Sequence, residues 1–144
     1  MDTATRLLLL SRRKPRHVPE PPSNNFQDAY EPLSSRKDSG FMVPRHMKMP
    51  MREAIERVEA DVGDVDAFVA RELQYNSIQH MHQFFMGLQV DAVAMAIWQL
   101  RHSKALVLSD MTGVGKGRCA AGVCRWAVLN RILPIFCTYS DALF

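Results

Sequence analysis

The run Leu106-Val-Leu-Ser-Asp-Met-Thr-Gly-Val-Gly-Lys-Gly-Arg118 carries a short apolar stretch into a glycine-spaced turn that holds one lysine. Gly113, Gly115 and Gly117 alternate with other residues, and Lys116 stands between the last two. Glycine reaches positive φ without steric cost, so successive backbone N–H groups can turn inward around an anion. A helix that begins at such a turn adds the positive end of its dipole, and a lysine supplies a point charge for the outer phosphates. The general phosphate-loop pattern is Gly-x-x-x-x-Gly-Lys-Ser/Thr between a strand and a helix. Here Asp110 occupies its first glycine and Gly117 its hydroxyl position. The physical requirements are met although both ends of the pattern differ, and the stretch points to phosphate binding; a glycine-rich turn with a solvated lysine is the alternative. Gly117 lacks the hydroxyl that ordinarily helps to hold Mg²⁺, and Thr112 lies on the other side of the lysine.

The flanks of the turn predict an α/β fold. Ala105-Leu-Val-Leu108 is a short apolar run bounded by polar residues, which suits a buried parallel strand. Arg118 to Asn130 reads as a helix with Ala120, Ala121, Val123, Trp126, Ala127 and Val128, and Pro134 opens a second strand, Ile135-Phe-Cys-Thr-Tyr139. Strand, glycine turn, helix and strand make one βαβ unit with parallel strands and a right-handed crossover. Upstream, Met51, Ile55, Val58 and Val62 recur at helical spacing. Gly63 can end that helix and Asp64 can cap the next, marked by Val65, Phe68, Val69 and Leu73. His80, His82, Phe84 and Phe85 fall in a less regular join. Leu88 to Leu100 is helical again and apolar nearly all round, which marks a buried helix. Three regions result: a tail over residues 1–43, a helical lead-in over 44–103, and the beginning of a phosphate-loop domain over 104–144.

The charge is unevenly placed. Residues 1–48 hold nine Lys/Arg and five Asp/Glu, net +4, and residues 49–144 hold nine and ten, net −1. The first third also contains Pro15, Pro19, Pro21, Pro22, Pro32 and Pro44 with little apolar periodicity, so residues 1–43 are expected to be a disordered basic tail. Leu7 to Leu10 is too short for the apolar core of a signal peptide, and Arg12-Arg-Lys14 follows it. No run approaches the length of a membrane-spanning helix, so no membrane partner and a cytoplasmic location are expected. Cys119, Cys124 and Cys137 lack metal-ligand spacing and are expected to be reduced, buried thiols. His80, His82 and His102 have no partners at ligand spacing and read as structural.

Asp110-Met-Thr-Gly-Val-Gly-Lys-Gly-Arg118 resembles the nucleotide loop of the strawberry notch-like helicases, superfamily 2 helicase-type ATPases whose bacterial and phage members often accompany a DNA methyltransferase region. Glycine after the lysine is usual in that family. Leu88-Gln-Val-Asp-Ala-Val-Ala-Met-Ala-Ile97 resembles its glutamine-containing segment. Pro134 to Phe144 resembles its motif Ia, and Gly63 to Val69 its helical lead-in, so that the resemblance spans about residues 44–144. It implies an incomplete P-loop (RecA-like) NTPase domain that binds ATP with Mg²⁺ and acts on DNA. Gln89 would recognise the adenine edge. Lys116 would be catalytic, contacting the β- and γ-phosphates, and Thr112, Gly113, Val114, Gly115, Gly117 and Arg118 would complete the nucleotide site. Arg118 would reach a phosphate or pair with Asp110, with a solvated helix arginine as the equal alternative. Thr138 and Ser140 would approach the nucleic-acid backbone. The acidic Asp-Glu-x-His-like segment that holds Mg²⁺ and positions water does not occur, nor does a second helicase lobe, so the metal ligands are expected outside this chain. These 144 residues are expected to hold half a nucleotide site, inactive in isolation.

Two other functions fit the same residues. A non-catalytic module could use the fold to hold a nucleotide or a partner. A small kinase or GTPase would need a lid and acceptor site, or a guanine-reading Asn-Lys-x-Asp, and the latter is not in the sequence.

Overall fold

The computed structural model describes residues 26–37, 41–109 and 114–137. Two short strands, β1 (Gln27–Ala29) and β2 (Met42–Pro44), pair antiparallel with Gln27 opposite Pro44, Asp28 opposite Val43 and Ala29 opposite Met42. Helices follow as α1 (Arg45–Val62), α2 (Val65–Glu72), α3 (Ile78–Met81), α4 (Gly87–Arg101) and α5 (Lys116–Leu129). The chain is thus mixed α/β, mostly helical, with one two-stranded sheet among the described residues.

The helices form where apolar spacing and end signals agree. The apolar stripe of α1 buries Ile55 and Val58. Gly63, at φ 79°, ends that helix in a conformation open to glycine, and its N–H reaches the Glu59 carbonyl at 2.8 Å. The Asp64 side chain then caps α2 by accepting from Ala67 N at 2.6 Å. The irregular join contains one helical turn, α3, capped by Ser77 through His80 N at 3.1 Å. Helix α4 lies at the centre, touching α1, α2 and α5, which is why it is apolar nearly all round. Helix α5 approaches α4 closely at Gly122, where an added Cβ would lie 3.1 Å from Phe85 Cζ and 3.2 Å from Val93 Cγ2. The core runs through Phe68, Leu73, Met81, Val93, Ile97 and Trp126.

One expectation needs correction, and another is not met among the described residues. Residues 26–37 and 41–43 are not a disordered tail: they form β1, most of β2 and a bent segment over 33–36 that docks on the helices. Lone apolar residues with little periodicity suffice here because the docking is mostly polar, as described below. The first 25 residues lie outside the described ones. The segments expected as parallel strands, 104–109 and 132–137, carry no ladder among the described residues. Val107 is 84% exposed and Ile135 82%. Parallel strands need covered faces and several neighbours to pair stably, and one crossover helix supplies neither.

Among the described residues no helix is long and apolar enough to cross a membrane.

Candidate functional site

The glycine turn enters α5 through Val114 and Gly115. Gly115 takes a left-handed conformation, φ 83° and ψ 36°, at the N-cap of α5. The first-turn N–H groups of a helix lack the usual partner one turn back, which suits such an end to an anion, although here Arg118 N already donates to the Gly115 carbonyl at 2.9 Å. Gly115 meets the expectation of positive φ. Gly117 does not: it lies within α5, and only Gly63 and Gly115 have positive φ among the described glycines. The helix begins at Lys116, two residues earlier than expected, so Gly117 needs no special backbone. An added Cβ there would meet nothing within 4 Å, leaving the first turn of α5 open on that side. Lys116 is half-buried. Thr112 and Gly113, with Asp110 and Met111, lie outside the described residues, as do Thr138 and Ser140.

The turn is brought against Gln89. That residue belongs to the first turn of α4 and is 4% exposed. Its Oε1 accepts from Met86 N at 3.1 Å, and its Nε2 donates to the Val114 carbonyl at 2.9 Å. Gly115 approaches so closely that a Cβ would overlap Gln89 Nε2. Sequence separation hides this contact, since 25 residues lie between the partners. Arg118 makes a contact that was not expected: its Nη1 donates to the Phe84 carbonyl at 2.7 Å, binding the turn before α4 to the first turn of α5. The carbonyl is a strong acceptor within reach, and it ties residues 84–89 to 114–118 at a second point.

A second polar constellation was not foreseen. Asp91, fully buried on α4, accepts from Tyr30 Oη at 2.8 Å, Leu33 N at 2.9 Å and Ser34 N at 3.1 Å. Asp66, buried on α2, accepts from Ser34 Oγ at 2.6 Å, Ser35 N at 2.7 Å and Ser35 Oγ at 2.6 Å, with His82 Nε2 at 3.0 Å. Residues 30–36 therefore form a strap held by two carboxylates from two helices. Burial drives the Asp91 carboxyl above its ordinary range, against the bonds from Tyr30, Leu33 and Ser34. Burial also works to raise Asp66, but the bonds from Ser34, Ser35 and His82 prevail and hold it below. The signal in the sequence was Asp91 itself, a carboxylate inside a helix otherwise apolar all round; its partners could not be read from spacing. The strap also reaches the loop, because Tyr30, Val43 and Leu88 form a small cluster against which Val114 packs.

Cys119 is buried, Cys124 half-buried and Cys137 exposed, none of them in a disulfide, so the expectation of three buried thiols holds only at Cys119. His102 Nδ1 lies 2.8 Å from the Trp98 carbonyl, and His80 packs edge-on to Tyr75 and Phe84. Among the described residues no group of three or more His, Cys, Asp or Glu is placed to hold a metal ion.

No family model matches the chain, and neither a curated protein nor a solved structure was found to be similar to it.

Proposed function

We propose that the chain supplies the phosphate loop of an ATP-dependent DNA helicase or translocase of the strawberry notch type. The observation that supports this most is the junction of Gln89 with Val114 and Gly115. A glutamine far upstream in sequence, a left-handed glycine and the N-terminus of a helix carrying Lys116 come together at one place. A polyphosphate fits there: the helix end offers N–H groups, Lys116 the cation, and the side of Gly117 open space. The two segments flanking α5, residues 104–109 and 132–137, would be the first strands of the parallel NTPase sheet. The nucleotide's Mg²⁺ would be held by acidic groups other than those of the loop, since Gly117 has no hydroxyl. DNA would be engaged in the context of the whole helicase, where Thr138 and Ser140 would approach its backbone.

Nucleotide titration of the chain and of Lys116→Ala tests this. ATP is expected to bind weakly, and loss of the lysine should weaken it by about an order of magnitude, the effect of losing a charge-assisted hydrogen bond. Steady-state phosphate release is expected from neither variant. Equal ATP affinity of the two would overturn the assignment of the loop. Turnover that Lys116→Ala abolishes would show that these residues hold a complete catalytic site.

A further inference from the structure

The carboxamide of Gln89 is committed on both sides. It has two lone pairs and two N–H groups. One lone pair takes Met86 N and one N–H goes to the Val114 carbonyl, while the residue as a whole is 4% exposed. An amide that reads a base edge needs an accessible donor and acceptor side by side. Presenting them here would break a buried bond and leave Met86 N or the Val114 carbonyl without its partner. The same amide donates to the Val114 carbonyl and packs against Gly115, where an added Cβ would overlap its Nε2. It therefore sets the backbone from which the first N–H groups of α5 project. We infer that Gln89 is a positioning residue for the phosphate loop, not a reader of adenine, and that the site takes the polyphosphate end of nucleoside triphosphates whatever their base. This rests on the nucleotide assignment made above.

The test is a titration of the chain with ATP, GTP, CTP and inorganic tripolyphosphate in the presence of Mg²⁺, repeated for Gln89→Ala and Gln89→Glu. The wild-type chain should bind the three nucleotides with dissociation constants within about threefold of one another, no more than a weak hydrogen bond would give. Gln89→Ala should weaken all four ligands by a common factor on the order of tenfold. Gln89→Glu carries a readout that mere folding would not move. A protonated glutamate reproduces the amide's pattern, accepting from Met86 N and donating to the Val114 carbonyl, whereas a carboxylate cannot donate. Burial raises a carboxyl's pKa. Relative to wild type at each pH, Gln89→Glu should recover affinity for all four ligands as pH falls. A wild-type preference for ATP over GTP of tenfold or more, or a loss on substitution confined to ATP, would overturn the inference while leaving the phosphate loop intact. Absence of recovery by Gln89→Glu at low pH would also overturn it. If none of the four binds the wild-type chain, the nucleotide assignment falls and this inference with it. Should Gln89→Ala fail to fold, the wild-type base preference decides alone.

Discussion

Asp66 and Asp91 face the same strap yet titrate in opposite directions. Asp66 is held below the ordinary carboxylate value, so it contributes stability that is fully present above its unfolded pKa of about 3.9 and is lost as pH falls through the lower folded value. Asp91 is raised, so ionising it in the folded protein costs stability as pH climbs from about 3.9 through the folded value. Urea unfolding of Asp66→Asn and Asp91→Asn across pH should resolve the two. The stability difference between wild type and Asp66→Asn should grow with pH below about 3.9 and level off at about 3 kcal/mol, a usual cost of breaking a buried network. The difference for Asp91→Asn should instead shrink as pH rises beyond that point. Slopes of the same sign would contradict the assignment. Neither effect was legible in the sequence. Nothing in the spacing singles out Asp66 in the first turn of its helix, and Ser34 and Ser35 fall in the stretch expected as a disordered tail.

At the scale of elements, the glycines of the turn separate by role. Gly115→Ala forces a side chain into left-handed backbone, costing roughly 1–2 kcal/mol, and drives its Cβ against the Gln89 amide. Gly117→Ala places a methyl in open space on a helix, where alanine is favoured by up to about 1 kcal/mol. Thermal unfolding should show a lower Tm for the first and an equal or higher Tm for the second; a lower Tm for both would mean that Gly117 also needs glycine's freedom. The helices themselves were readable. The stripe of α1, the Gly63 stop, the Asp64 cap and the all-round apolar α4 each have a local cause. The strands were not, because an apolar run such as Leu106 to Leu108 specifies extended backbone but says nothing about its hydrogen-bonding neighbour.

At the scale of the described residues as a whole, burial is concentrated in the helices. Phe68 at 1% exposure and Leu73 at 0% sit in the helical core, whereas Val107, Leu133 and Ile135 are each more than 80% exposed. Phe68→Ala should therefore cost about 3–5 kcal/mol, as for other buried aromatic truncations. Val107→Lys and Ile135→Lys should stay within about 0.5 kcal/mol of wild type, as surface changes do. Chemical denaturation of the three variants checks this; a large loss at Val107 or Ile135 would mean that these side chains are covered in the folded protein. Leu106 to Ser109 also line a groove of about 250 Å³ with Met47, Pro50, Met51, Leu88 and Met95. The half of the candidate site formed by α4 and the start of α5 is thus carried by a well-packed body, and the half expected from the strands is not.

The strap over residues 30–36 also bears on the order of folding events. Tyr30 and Asp91 are 61 residues apart in sequence, and Ser34 reaches both Asp91 on α4 and Asp66 on α2. The full set of bonds cannot form until the two helices have docked, and closing so long a loop gains little before then. Strap closure should follow the rate-limiting step. Tyr30→Phe should then leave the refolding rate nearly unchanged and accelerate unfolding, a φ-value near 0. A Tyr30→Phe chain that refolds slowly and unfolds at the wild-type rate would place the strap in the nucleus instead.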